Sequence, residues 1–388
     1  MLDPRENQLD ALRAIAVSFV LYAHFYADQG SNWGHFGVRL FFILSGFLIT
    51  RLLLDARAAA RFEPATALKA FYARRALRIF PLYFAMIGFV WLVDLEQSRG
   101  SLAWHALYLS NFWFAQRDAW EPWVLSHTWS LSIEEQFYLI WPLVVLFAPR
   151  RSIVAICIGV IAFSLAYRLY WPFTATPSLA RDLLPPASMD ALGSGALLAA
   201  YRSEHPGWPR WARLAWMPAA GAFLFLQWFA PSPATPTQEW VRWIALEILP
   251  LLPLTMLVGS CSAGLAGWAG RLAELPPLTA LGRISYGVYL LHPIALSLTV
   301  KAQSWIPLNV SSQGAGRLLV ASIATLVAAS LSWLFFETRL NALKRHFPYV
   351  DADGRRTAGP IGARAWPAND GLTARPDQPE ALPASEIR

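Results

Sequence analysis

LDALRAIAVSFVLYAHF, residues 9–25, is an apolar run that with its flanks can cross a bilayer, yet it carries Arg13 and His24. An ionisable group at membrane depth is costly and persists where it faces a protein interior, a partner or a chemical task. At ~100° and ~1.5 Å per residue, the spacing from 13 to 24 returns to nearly the same helix face after a rise of ~16 Å. One stripe therefore carries a cation low and an imidazole high, which makes it a candidate functional site. The structural alternative is a snorkelling Arg13 and a packed His24.

Outward from this run the composition agrees. Of 388 residues, 56% are hydrophobic, 14% aromatic and only 15% charged, which argues against a string of soluble domains. Apolar stretches near 8–27, 38–55, 77–95, 136–149, 152–171, 187–201, 212–230, 241–260, 281–300 and 317–336 predict an all-α, polytopic membrane helix bundle of about ten transmembrane helices. SLAWHALYLSNFWF (101–114) is short for a crossing and reads as an interfacial or re-entrant piece.

Lys and Arg gather at Arg51, Arg57, Arg61, Lys69, Arg74, Arg75 and Arg78, at Arg150 and Arg151, at Arg202, Arg210 and Arg213, and at Arg339, Lys344 and Arg345. Ten crossings, with 96–135 kept outside, place all of them on one side. By the positive-inside rule that side is cytoplasmic and holds both termini. The net charge of +7 then reflects topology, and no nucleic-acid partner is implied. Residues 51–76 read as a basic cytoplasmic loop, partly helical around Pro64. A membrane domain spans 1–345, and 346–388, rich in Asp, Gly, Ala, Pro and Arg, reads as a disordered cytoplasmic tail. Cys157 and Cys261 read as packing residues, forming neither a disulfide nor a metal site. The first span reads as retained, since no cleavage pattern follows it. No soluble catalytic domain is evident at either end, and no internal repeat.

Walker A, H-E-x-x-H, C-x-x-C and G-x-S-x-G patterns are absent, which disfavours ATP hydrolysis and zinc peptidase chemistry. Polar residues in and beside the apolar helices remain. Arg39, in GVRLFFILSGFLIT (37–50), is placed to meet a carboxylate of the external segment, while Ser45 and Gly46 read as close-packing residues. Arg74, Arg75 and Arg78 form either a topology signal touching anionic lipid or a phosphate clamp. In HTWSLSIEEQFYLIWPL (127–143), Glu134 and Glu135 read as lying at the mouth of a span with His127, Ser130 and Ser132 before them. The helix dipole would explain one carboxylate there, but two beside a histidine favour catalysis or acceptor binding. In GRISYGVYLLHPI (282–294), Ser285, Tyr289 and His292 form a polar stripe, and Pro293 frees nearby carbonyls. Tyr289 alone reads equally as an interior aromatic.

Five of these motifs lie in register: Arg13 with His24, FFILSGFLI (41–49), FYARRALRIFPLY (71–83), TWSLSIEEQFYLIWP (128–142) and ISYGVYLLHP (284–293). Together they resemble the integral-membrane acyltransferase family 3, whose members O-acylate bacterial surface polysaccharides, lipopolysaccharide O-antigen, nodulation factors and some macrolides. The resemblance covers about residues 8–336. It implies that an acyl group, expected to be acetyl, passes from cytoplasmic acyl-CoA to a hydroxyl of a carbohydrate such as a surface polysaccharide or its lipid-linked precursor, with no permanently bound cofactor. It further implies that Arg13 and His24 are required, that Arg74, Arg75 and Arg78 belong to the donor side, and that an S-x-E motif falls on Ser132 and Glu134. FFETRL (335–340) lacks the proline that often ends the family's last span, so Glu337 receives no role. Some relatives add a periplasmic esterase-like domain, and this chain is expected to resemble the stand-alone members.

These assignments make His24, Glu134 and Arg13 the catalytic candidates, the three clustered arginines the donor site, and Arg39, Ser132, Tyr289 and His292 substrate-binding candidates. A metal role is given to none. Arg13 is expected to hold the phosphate end of the donor and His24 to meet the thioester. Glu134 would orient His24 or polarise the acceptor. The route is either direct transfer or passage through an acyl-enzyme. A transporter or flippase of an anionic lipid-linked sugar is the rival class, disfavoured by the absence of an inverted repeat.

Overall fold

The computed structural model describes residues 4–27, 32–59, 62–171, 178–205, 214–229, 246–305, 310, 312–350 and 356–357. Its long helices are α1 (Pro4–Phe25), α2 (Trp33–Arg57), α3 (Pro64–Val93), α4 (Thr128–Phe147), α5 (Ile153–Tyr170), α6 (Met189–Glu204), α7 (Trp216–Phe229), α8 (Leu251–Ala263), α9 (Pro276–Lys301) and α10 (Ala315–Ser332). Each of the ten apolar stretches overlaps one of them. Among the described residues, 5 segments are long and apolar enough to cross a membrane: Trp33–Arg57, Pro64–Val93, Trp123–Phe147, Arg150–Tyr170 and Ala315–His346. Leu251–Ala263 with Gly267–Ala273, bent by 90°, brings the number to 6 if that pair counts as one span. The count of ten crossings is thus not reached by length and composition alone.

α1 runs along α2, α8, α9 and α10, with Leu9, Leu12, Ala16, Val17, Val20 and Phe25 buried against them. Close approach of the backbones sets this arrangement. A Cβ on Gly282 of α9 would run into the Asp10 carbonyl of α1, and one on Gly37 of α2 into the Ala16 carbonyl. The contact between α2 and α6 is reciprocal. A Cβ on Gly46 would meet the Leu192 carbonyl, and one on Gly195 the Ile43 carbonyl. Small residues at such crossings let helices associate where lipid supplies no hydrophobic drive.

α3 is less embedded, with only 33% of its apolar window buried. Its 30 residues extend ~45 Å, more than the ~30 Å hydrocarbon core, so part of it must overhang or tilt. It begins at Pro64, a favoured first helical residue. The helix expected around Pro64 is present, but the loop expected over 51–76 is much shorter: α2 continues to Arg57 and the connection shrinks to the few residues before Pro64. Arg57 explains the extension, because it donates to the carbonyls of Val145 (2.8 Å) and Ala148 (2.7 Å) at the C-terminus of α4, groups a helix end leaves unsatisfied.

α4 starts at Thr128, eight residues before the apolar stretch at 136–149. Glu134 and Glu135 consequently lie inside the helix and not at its mouth, beyond the first turn where the dipole acts. The segment between α3 and α4 does not cross. It breaks into the short helices Leu102–Ala106 and Ser110–Arg117, with 3-10 turns at Leu95–Ser101 and Trp123–Leu125. A buried polar web ties it down. Tyr83 donates to the His105 carbonyl (2.8 Å), the His105 ring bonds Thr128 (2.8 Å), Thr128 donates to Ser110 (3.0 Å), and Ser110 bonds Ser132 (2.8 Å). Past α10 the chain turns through Thr338–Ala342 and Leu343–His346, and Tyr349–Val350 pairs antiparallel with Arg356–Thr357. The rest of the tail at 346–388 lies outside the described residues.

Because the obstructing atoms at the α2–α6 crossing are backbone, Gly195→Leu is expected to destabilise the fold by about 3 kcal/mol or more. Gly159→Leu, where a Cβ meets nothing within 4 Å, is expected to be neutral. Thermal melting of the purified protein in detergent checks both.

Candidate active site

The cavity that concerns function is about 160 Å³ and lies where α2, α3, α4 and α9 face one another, with the segment after α10 at one end. Arg13, Arg74, Arg75, Arg78 and Lys344 contribute cations to its wall. Phe41, Phe42, Leu44, Leu48 and Ile49 of α2 supply an apolar side, and Ser45, Ser130, Glu134, Ser285 and Tyr289 a polar one. The contacts order these groups by level. Arg74 donates to the carbonyls of Lys344 (2.9 Å) and Phe347 (3.1 Å) at the basic end, and its guanidinium lies 5.5 Å from the Tyr349 ring. Ser45 donates to Glu134 (2.5 Å) and bonds Tyr138 (2.8 Å) midway. Tyr289 then bonds Ser130 (2.6 Å) and donates to the His127 carbonyl (3.1 Å).

Beyond Tyr289 lie the histidines, which are not on the cavity wall. Nδ1 of His24 is 2.7 Å from Nε2 of His292, and the rings stack with centroids 4.9 Å apart. His127 comes within 5.3 Å of His292, ring to ring. Trp123, from the segment between α3 and α4, approaches His24 edge-on at 6.1 Å. Residues from α1, α9, the start of α4 and that segment thus converge, although they are far apart in sequence.

The clustered arginines differ in how far they are engaged. Arg74 is bound to backbone carbonyls, which fasten the segment after α10. Arg75 lies over the Tyr138 ring at 3.9 Å. Among the described residues no carboxylate lies within 4.0 Å of Arg75, Arg78 or Lys344. Arg13 pairs with Asp10. The cavity therefore carries cations that the protein does not neutralise by contact, which is the electrostatic requirement for holding an anion with several oxygens.

Other candidates fall elsewhere. Arg39 is buried at 2% exposure and binds Asp190 (2.7 Å) at the first turn of α6, not a carboxylate of the external segment. Asp190 also faces Arg168 (3.3 Å), which reaches Glu247 (3.0 Å), and Glu247 meets His35 (2.7 Å). These groups neutralise one another and form no part of the cavity wall. Ser132 belongs to the web under the segment between α3 and α4, because two residues along a helix turn a side chain by ~200°; Ser130 faces the cavity in its place. Glu134 bonds Ser45, while the partner of His24 is His292. Sequence reasoning missed Ser45, Tyr138, Lys344 and Tyr349. Tyr138, one turn after Glu134, offered a helical i, i+4 signal, and Asp190 inside an apolar stretch was itself a sign of a buried partner. Lys344 and Tyr349 offered none.

Residues 6–337 match the profile of the acyltransferase domain family, type 3. The chain belongs to this family. It is 29% identical over 368 residues to the peptidoglycan O-acetyltransferase OatA of Listeria monocytogenes, an alignment covering 87% of this chain and 56% of that protein. It is 36% identical over 158 residues to the O-acetyltransferase OatA of Staphylococcus aureus, covering 37% of this chain and 25% of that one. The chain thus spans about half, or less, of the length of these relatives. No solved structure matches it.

Removing one partner of a buried pair leaves an uncompensated charge and costs about 3–5 kcal/mol. Asp190→Ala is expected to lower thermal stability by that order, and adding Arg39→Met is expected to recover part of it. Neither change is expected to alter the KM of an anionic donor, which distinguishes an internal clamp from a substrate-binding arginine.

Proposed function

We propose that this family member is a membrane O-acyltransferase that takes an acetyl group from cytoplasmic acyl-CoA and passes it to a carbohydrate hydroxyl outside. The observation that carries this reading is the set of cations without carboxylate partners, Arg75, Arg78 and Lys344, beside an apolar wall. Coenzyme A has that composition: phosphates at one end and a long, mostly uncharged arm at the other. Guanidinium forks suit the phosphates, and the α2 wall of Phe41, Leu44 and Leu48 suits the arm. The thioester then lies toward Ser130 and Tyr289, below His24.

In this reading the acceptor hydroxyl gives its proton to His24 as its oxygen attacks the thioester carbon. The carbon–sulfur bond breaks and the departing thiolate regains a proton from His24. Glu134, held by Ser45, keeps the middle of the cavity polar and counters the arginines. The acceptor class follows the relatives, of which the Listeria protein is a peptidoglycan O-acetyltransferase; a glycan hydroxyl is the matching substrate here. The reading takes ten crossings in a bacterial inner membrane, with both termini cytoplasmic.

Purified protein given labelled acetyl-CoA and peptidoglycan fragments is expected to form labelled glycan. Arg78→Ala is expected to raise the donor KM by about 10-fold or more, the loss of one charge-assisted contact, and His24→Ala to abolish transfer while folding is retained. An acylated protein trapped with donor alone would overturn direct transfer, and no label on any glycan would overturn the reading. For topology, a cysteine at Asp118 is expected to react with an impermeant thiol reagent on intact cells, and one at Arg151 only after permeabilisation. Cys157 and Cys261 are buried and give little background.

A further inference from the structure

The stretch LLHPI (290–294) contains a device that the reaction above does not account for. In a continuous helix the carbonyl of Tyr289 would accept the N–H of residue 293, but residue 293 is proline and has none. The carbonyl is occupied all the same. Nδ1 of His292 lies 2.6 Å from it. A carbonyl oxygen only accepts, so Nδ1 of His292 carries a proton and donates it.

The assignment propagates. A neutral imidazole has one N–H, so Nε2 of His292 is an acceptor. It lies 2.7 Å from Nδ1 of His24, which must then be the donor. The single proton of neutral His24 is thereby fixed on Nδ1, and its Nε2 is left with a free lone pair. The opposite polarity would need an imidazolium at His292. That ring has 0% exposure, no carboxylate among its contacts, and the His127 ring 5.3 Å away, so a charge there would be buried and uncompensated.

We propose that His292, anchored on the carbonyl that Pro293 leaves free, is a positioning residue that locks His24 in the Nδ1–H tautomer and makes Nε2 of His24 the atom that takes the hydroxyl proton. The lock rests on the acyltransferase reading for its purpose but not for its geometry. It replaces the carboxylate that commonly orients a catalytic histidine with a second, uncharged ring. In an apolar span that spares the protein an additional buried anion. Proton transfer balances within it: the hydroxyl proton arrives at Nε2, the positive charge is shared toward His292 through the Nδ1–H bond, and the same proton leaves with the thiolate.

Two experiments test it, one without catalysis. In protein carrying 15N-labelled histidine, with the His24 signals identified by their loss in His24→Phe, Nε2 is expected to show the resonance of a bare nitrogen and Nδ1 that of a protonated one. The reverse assignment would overturn the proposal, whatever the enzyme's substrate. In the transfer assay, His292→Phe, which keeps the ring volume but accepts no hydrogen bond, is expected to lower kcat by about 100-fold with the donor KM unchanged. His292→Gln, whose amide oxygen can accept from His24, is expected to restore kcat to within about 10-fold of the parent. An unchanged kcat in the Phe variant would sink the inference. Should the parent protein transfer no acetyl group, the functional reading fails instead and the nitrogen resonances alone decide.

Discussion

A charge inside an apolar helix bundle must find a partner, and this molecule meets the demand in two ways. On one flank Arg39, Arg168, Asp190 and Glu247 close on themselves, cation against carboxylate, and the set is spent. Around the cavity the account is left open: Arg75, Arg78 and Lys344 line it with Glu134 already bound to Ser45. Burying unneutralised cations costs stability, and here one end of the site is formed by a segment outside the bundle. The contrast between the two sets separates a structural clamp from a ligand site without reference to residue type, since arginine serves both.

The close contacts of α1 with its neighbours turn that charge pattern into a sequence of levels. Gly282 seats α9 against Asp10 of α1, so that the polar stripe of one helix is aligned with the other. Residues of α9 then climb beside those of α1, from Ser285 and Tyr289 on the cavity wall to His292 against His24. A slip of one turn, ~5.4 Å, would separate the two imidazoles beyond hydrogen-bonding reach. The absence of a side chain at Gly282 therefore bears on the geometry of the histidines some ten residues away.

Much of this was legible in the sequence because apolar length and intramembrane polarity are local signals. All ten apolar stretches overlap helices, and the families of polar residues at Arg13, at 74–78, at Glu134 and at 289–292 do meet in one region. What the sequence did not disclose was pairing. Arg39 was expected to meet the external segment and meets Asp190. Glu134 was expected to orient His24 or polarise the acceptor; it bonds Ser45, and the partner of His24 is His292. Ser132 was chosen over Ser130, although two residues along a helix point to nearly opposite faces, and only the packed structure says which face looks inward. Helix ends were misplaced at Arg57 and Thr128 for a related reason: what extends those helices is a side chain of α2 on the carbonyls of α4 and a polar web to the external segment, both long-range.

The cavity ends at Tyr289 and Ser130, and the histidine pair lies on the far side of their hydrogen bonds. This has a bearing on the membrane as an insulator. A buried polar route from clustered cations to a pair of imidazoles has the components of a proton leak. The Tyr289 hydroxyl, committed to Ser130 and to the His127 carbonyl, stands between the cavity and the histidines while the site is empty, and must yield when thioester and hydroxyl meet His24. The same residue that contributes its carbonyl to the histidine lock thus contributes its hydroxyl to the boundary between the cations and the base.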